Sequence, residues 1–136
     1  MEPLESSHGE AEDRREVVLV VEDDVLVRWP TAEYLRVSGY RVIEAGSARE
    51  AMAVFSSGTH IDVVFSDVNL SSGLTGYEFA NWLLAEHPGI PVLLTSGEAA
   101  SADAPIGVSF IPKPYVLAEV EQRIKDLGAR RRTGAI

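Results

Sequence analysis

The chain has 136 residues, 46% of them hydrophobic, enough for one domain with a packed core and too many for a disordered polypeptide. It has no cysteine, which excludes disulfides and thiolate metal sites and fits a reducing compartment. A formal net charge of -9 disfavours DNA or an anionic membrane as a partner, no apolar run nears the roughly 20 residues of a membrane span, and Met1 to Arg15 lacks the apolar core of a secretory signal, so the expectation is a cytoplasmic protein with protein partners.

Residues 1–15 are polar and acidic without periodicity and read as a flexible tail. Val17-Val18-Leu19-Val20-Val21 is a continuous β-branched run, the pattern of a strand buried on both faces of a parallel sheet. A first helix is expected from about Val25 to Ser38, stopped by Gly39, with Pro30 imposing a kink or a late start. A second strand is expected over Arg41–Glu44. The helix after it opens on the capping-box pattern of Ser47 and Glu50, shows Ala48, Ala51, Met52 and Phe55 on one face, and is closed by Gly58.

The third strand is expected over Val63–Ser66. It is followed by a helix with a second capping box, Thr75 and Glu78, an apolar set of Phe79, Ala80, Leu83 and Leu84, and a stop at Pro88-Gly89. Strands over Val92–Thr95 and Ser109–Ile111 flank a segment, Gly97 to Val108, that is rich in Ala, Ser and Gly; a fourth helix there should be short, frayed or absent. Leu117, Val120, Ile124 and Leu127 form the stripe of a last helix ended by Gly128, leaving residues 129–136, with Arg130-Arg131-Arg132, as a flexible basic tail. The alternation predicts one α/β domain over residues 16–128, a doubly wound parallel sheet with helices on both faces.

In such sheets ligands bind beyond the carboxyl ends of the strands. Glu22, Asp23 and Asp24 follow the first strand, Asp67 the third, Ser96 the fourth and Lys113 the fifth. Asp24 suits a helix cap, but capping does not require three acids in a row. If Glu22, Asp23 and Asp67 converge, each close pair repels by about a few kcal/mol at an effective dielectric near 20. A hard divalent cation would relieve that repulsion, and oxygen ligands without His or Cys suit Mg²⁺. His8, His60 and His87 have no neighbours in the sequence that point to a metal or phosphohistidine site.

Val20-Val21-Glu22-Asp23-Asp24, Ser66-Asp67-Val68-Asn69, Leu94-Thr95-Ser96-Gly97 and Pro112-Lys113-Pro114-Tyr115 resemble, in order and at the strand ends, the four signature stretches of response-regulator receiver domains. The resemblance spans about residues 16–128. It implies the flavodoxin-like strand order 2-1-3-4-5 and a two-component phosphorelay role, with a sensor histidine kinase or histidine phosphotransfer protein as donor. It implies Asp67 as the nucleophile that becomes aspartyl phosphate, and Glu22 and Asp23 as the acidic pair for Mg²⁺, with Asp23 the more direct ligand. Asn69 would give its main-chain carbonyl to the metal, and Lys113 would pair with the phosphoryl group. Ser96, five residues after Pro91, would be the switch hydroxyl in preference to Thr95, and Phe110 the aromatic switch. The Lys113–Pro114 bond would be cis.

Two features depart from the family pattern. The loop Leu70-Ser71-Ser72-Gly73-Leu74-Thr75-Gly76 lacks the usual proline and has one extra residue, and the fourth helical segment is thin where the family transmits its signal. With no output domain expected after Gly128, the expected action is on an unknown downstream protein, or as a shuttle passing phosphate onward in a multistep relay. An aspartate-nucleophile phosphohydrolase is a competing reading, but it needs a general acid two residues after the nucleophile, where this chain has Asn69. A phosphate-independent interaction module would not need Asp67, Lys113 and the acidic pair together.

Overall fold

A computed structural model of the chain describes residues 15–71, 73–99 and 101–133. The parts of the two expected tails at residues 1–14 and 134–136 lie outside the described residues. Five strands, β1 (Val17–Val21), β2 (Arg41–Ala45), β3 (Val63–Asp67), β4 (Val92–Ser96) and β5 (Ser109–Pro112), pair in the order β2-β1-β3-β4-β5, all parallel. The described residues contain four helices: α1 (Val25–Val37), α2 (Ala48–Ser56), α3 (Gly76–Glu86) and α4 (Leu117–Thr133). This is the doubly wound sheet that the alternating pattern predicts.

The strands β1, β3 and β4 are buried at every position: β1 is apolar throughout, and β3 and β4 are apolar up to Ser66-Asp67 and Thr95-Ser96 at their carboxyl ends. Alternate side chains feed two separate cores. Leu19, Val21, Val64 and Leu94 pack with Ala51 and Phe55 of α2 and Phe79 and Leu83 of α3. Val18, Val20, Phe65 and Ile111 pack with Leu35 of α1 and Val120 and Ile124 of α4. Each helix stripe read from the sequence is therefore the face pressed on the sheet.

The helix ends follow their signals with two exceptions. Thr75 and Glu78 form the reciprocal capping box of α3: the Glu78 amide donates to Thr75 Oγ1 at 3.1 Å and the Thr75 amide to Glu78 Oε1 at 2.9 Å. At α2 only half of the box forms, because the Glu50 carboxylate accepts from the Gly46 amide, at 2.6 Å. Gly39, at φ +107°, takes the left-handed turn that ends α1. The first exception is Pro30. Helix α1 starts at Val25, ahead of Pro30, with Asp24 capping the Leu26 amide, so the late start does not occur. Proline cannot donate to the carbonyl of Leu26, four residues back, and Leu26 itself is exposed.

Gly128 is the second exception: α4 runs through it to Thr133, and residues 129–133 are helix rather than tail. Gly128 is buried against the Glu16 carboxylate, where a Cβ would collide, so its role is close packing. The extension is held by Arg131, which donates to the Asp62 carboxylate at 3.0 Å, and by Arg132, paired with Glu16. Asp62 also receives the Val17 amide at 2.8 Å, fastening the end of α4 to the start of β1. Between β4 and β5 the described residues form turns and bends with no helix, the absent alternative of the three expected for that segment.

Candidate functional site

The strand order places the carboxyl ends of β1 and β3 side by side, with β4 and β5 following. The acids after β1 thus meet Asp67, the last residue of β3, and Lys113 follows β5 directly. Asp67 is only 5% exposed. Its Oδ2 accepts a 2.7 Å hydrogen bond from Lys113 Nζ, and its Oδ1 accepts one of 2.9 Å from the Asn69 amide. These two bonds compensate a nearly dry carboxylate. Burial disfavours the Lys113 charge, but Asp67 beside it outweighs that and raises the Lys113 pKa.

Glu22 is buried at the end of β1. Its amide donates to the Ala45 carbonyl at 3.0 Å, its own carbonyl accepts from Arg28 Nη1 at 2.8 Å, and its Oε2 accepts from the Asp24 amide at 3.0 Å. Burial pushes the Glu22 carboxyl up to about 8, and the neighbouring Asp67 and Asp23 add to the rise against the opposing Asp24 amide. Asp23 goes the other way. Hydrogen bonds from Ser71 hold it below the usual range, including that from the Ser71 amide at 3.0 Å.

The carboxylates of Glu22, Asp23 and Asp67 thus share one mouth. Among the described residues no three His, Cys, Asp or Glu side chains close on a single point as a ready-made metal cage. One Asp67 oxygen faces Lys113 and one Asp23 oxygen faces Ser71. The donor chemistry nevertheless fits a hard cation: the donors are all oxygen, and a divalent charge would offset the repulsion by which Asp67 and Asp23 add to the burial-driven rise of Glu22.

Ser96 ends β4 buried, its Oγ accepting from the Glu98 amide at 3.1 Å, while its carbonyl accepts from the Lys113 amide at 2.9 Å. Thr95 is buried too, and its Oγ1 has no partner among the described residues. Strand alternation sends Thr95 and Ser96 to opposite faces. Phe110 is half-buried against the α2–α3 core, in register with Leu94, and its carbonyl accepts from Arg123 Nη1 at 3.1 Å. The structure thus joins Asp67, Lys113, Asn69, Glu22 and Asp23 in one cluster, sets Ser96 beside Lys113, and leaves Phe110 three residues down β5.

Three participants were not legible beforehand. Ser71 steadies Asp23 from the atypical loop. Arg28 ties α1 to Glu22 and to Glu44, at 3.1 Å. Gly76 lets the start of α3 press on the backbone carrying Asp67: its amide donates to the Val68 carbonyl at 2.8 Å, and a Cβ there would lie 2.7 Å from Val68 Cα. The Lys113–Pro114 peptide is cis. Beside Lys113 an open cleft of about 660 Å³ is walled by Leu26, Val27, Pro30, Pro114 and Tyr115. Val25, Leu26, Trp29 and Val116 expose large apolar surface around it.

The family model described as the response regulator receiver domain matches residues 18–125. The chain is 34% identical over 118 residues to the sensor kinase CckA of Brucella abortus, covering 81% of this chain and 12% of that protein. It is 33% identical over 122 residues to the probable transcriptional regulatory protein TcrX of Mycobacterium tuberculosis, covering 86% of this chain and 50% of that protein. The chain therefore spans half or less of the length of these curated relatives. The crystal structure of the receiver domain from the hybrid histidine kinase CckA superposes with a TM-score of 0.71 at 31% identity, covering 82% of this chain and 97% of that one. No helix among the described residues is long and apolar enough to cross a membrane.

Proposed function

Because the chain belongs to the response-regulator receiver domains of two-component systems, we propose that it is a phosphoacceptor in which Asp67 takes a phosphoryl group from a phosphohistidine donor, either a sensor histidine kinase or a histidine phosphotransfer protein. The observation that carries this reading is the setting of Asp67: a carboxylate 5% exposed, held between Lys113 Nζ at 2.7 Å and the Asn69 amide at 2.9 Å, beside two further acids.

A carboxylate oxygen of Asp67 attacks phosphorus, the new O–P bond forms as the donor's N–P bond breaks, and the bonding pair leaves with the imidazole, which takes a proton from solvent. Phosphoryl transfer asks for in-line positioning and neutralisation of charge on the equatorial oxygens. Lys113, already aimed at Asp67 Oδ2, supplies a compact cation to one of them. Ser96 supplies a hydroxyl to another once it gives up the Glu98 amide. Asp23, Asp67 and the main-chain carbonyl of Asn69 would hold Mg²⁺, with Glu22 behind them. When bound, that ion would offset the charge of the acid cluster and of the phosphoryl oxygens. The apolar cleft and the exposed residues of α1 and Val116 offer the donor protein a landing surface next to Lys113. The product, aspartyl phosphate, would switch binding of a downstream protein through Ser96 and Phe110.

Incubation with a small acyl phosphate and Mg²⁺, followed by intact mass, tests this. The expected product is a single phosphoryl adduct, stable in acid and labile in base, and missing from Asp67→Asn. Failure of any donor to give an adduct, or its persistence in that variant, contradicts the reading.

A further inference from the structure

At the end of the sheet opposite the carboxylates lies a groove of about 430 Å³ between the end of α3 and the end of α4. Its floor is apolar, formed by Leu84, Ile90, Pro91 and Leu127, and Arg130 stands on its rim. Arg130 also borders the adjoining cleft of Ser109, Arg123 and Asp126. The charged neighbours are engaged: Arg123 with the Phe110 carbonyl, Asp126 with Gln122, Arg131 with Asp62, and Arg132 with Glu16. Arg130 is exposed, and its guanidinium has no ion-pair or hydrogen-bond partner among the described residues. Residues 123–132 carry five cations, Arg123, Lys125, Arg130, Arg131 and Arg132, against the single acid Asp126, in a chain whose net charge is -9.

We propose that this groove docks the chain's own acidic N-terminal segment, residues 2–13. The segment has five acids, Glu2, Glu5, Glu10, Glu12 and Asp13, with no lysine or arginine, and Leu4 sits between the first two. It joins the fold at Glu16, whose carboxylate is bound by Arg132, one turn or less from Arg130. Leu4 lies twelve residues before Glu16, a reach of up to about 40 Å in extended chain. Attachment that close to the groove gives an effective concentration of roughly millimolar, so weak ionic contacts and one apolar anchor are sufficient. This contact does not depend on the phosphoacceptor reading.

The chain has no cysteine, so Ser6→Cys in the full chain carries a single nitroxide label. Methyl spectra should then show strong paramagnetic broadening at Leu84, Ile90 and Leu127 and little at Leu26 and Val116. The broadening should fall several-fold in Arg130→Glu and at about 1 M salt, where the Debye length shrinks to about 3 Å, and should not depend on protein concentration. Arg130 is exposed, so the remaining resonances report that this variant stays folded. Absence of broadening in the groove overturns the proposal, whether the groove is empty or serves an acidic partner protein. So does broadening unchanged in Arg130→Glu. Broadening seen between spin-labelled copies and separate isotope-labelled copies identifies a second chain as occupant and equally overturns it.

Discussion

Replacing Glu22 by Gln removes the most perturbed carboxyl of the site while keeping its shape. The folded protein holds the Glu22 carboxyl near 8, against 4.5 for an unperturbed glutamate. An acid raised by folding contributes stability that is fully present below the unfolded value and is lost as pH rises through the folded one. Between pH 4.5 and 8 the metal-free protein should therefore weaken progressively. At pH 7 the full effect of such a rise is about 3 kcal/mol, and water at the open mouth of the site reduces it to roughly 1–2 kcal/mol. Glutamine still accepts from the Asp24 amide and can donate toward Asp67 and Asp23, so Glu22→Gln should recover that amount at pH 7 and more at pH 8. Urea titrations in a chelator at several pH values measure it, as a wild-type midpoint that falls over this window and a flatter profile for the variant. Mg²⁺ should narrow the gap at pH 8. A wild-type midpoint independent of pH, or a variant less stable than wild type at pH 8, would refute the electrostatic argument.

Other perturbations test separate parts of the account. Lys113→Ala leaves Asp67 without its cation and should cut adduct formation at least tenfold, a loss of about 1.4 kcal/mol or more in transition-state stabilisation, with Lys113→Arg a poor rescue because the guanidinium is a wider, flatter donor; timed intact mass compares the rates. Gly76→Ala places a Cβ 2.7 Å from Val68 Cα and 3.0 Å from the Asp67 carbonyl carbon, and should destabilise by roughly 1–3 kcal/mol by overpacking while slowing phosphorylation, measured by thermal melts and adduct yield. Asp62→Ala strands the Val17 amide and leaves Arg131 only the position-62 main-chain carbonyl, with an expected loss of about 1–3 kcal/mol and faster amide exchange over residues 129–133. Phosphorylation, or a phosphoryl mimic, should raise exchange protection across residues 97–108 as Ser96 turns toward the phosphoryl group.

The fold was legible because burial on both faces favours apolar runs such as Val17–Val21, and because the helix stripes name the faces that meet them. The charged members of the site were legible for a related reason: Glu22, Asp23, Asp67 and Lys113 sit where apolar runs stop, and a sheet in this order brings those stops together. What escaped the sequence depends on contacts distant in the chain. Gly128 carries the local signal of a helix stop, yet the pairs Arg131–Asp62 and Arg132–Glu16 outweigh its cost of about 1 kcal/mol and carry α4 onward. Ser71 was visible only as part of an unusual loop; that its amide faces Asp23, 48 positions away, follows from the fold alone. Pro30 promised a disruption, but the bond it cannot make is the one to Leu26 in the first turn, and Asp24 still caps the helix ahead of it.

The central claim is that Asp67, among the acids gathered at this mouth, is the one that accepts the phosphoryl group. Treating the phosphorylated chain with borohydride reduces an aspartyl phosphate to homoserine, and peptide mapping then locates the modified position. Conversion is expected at Asp67 alone. Conversion at Glu22, Asp23 or Asp24, or phosphate lost without any reduced residue, would contradict it.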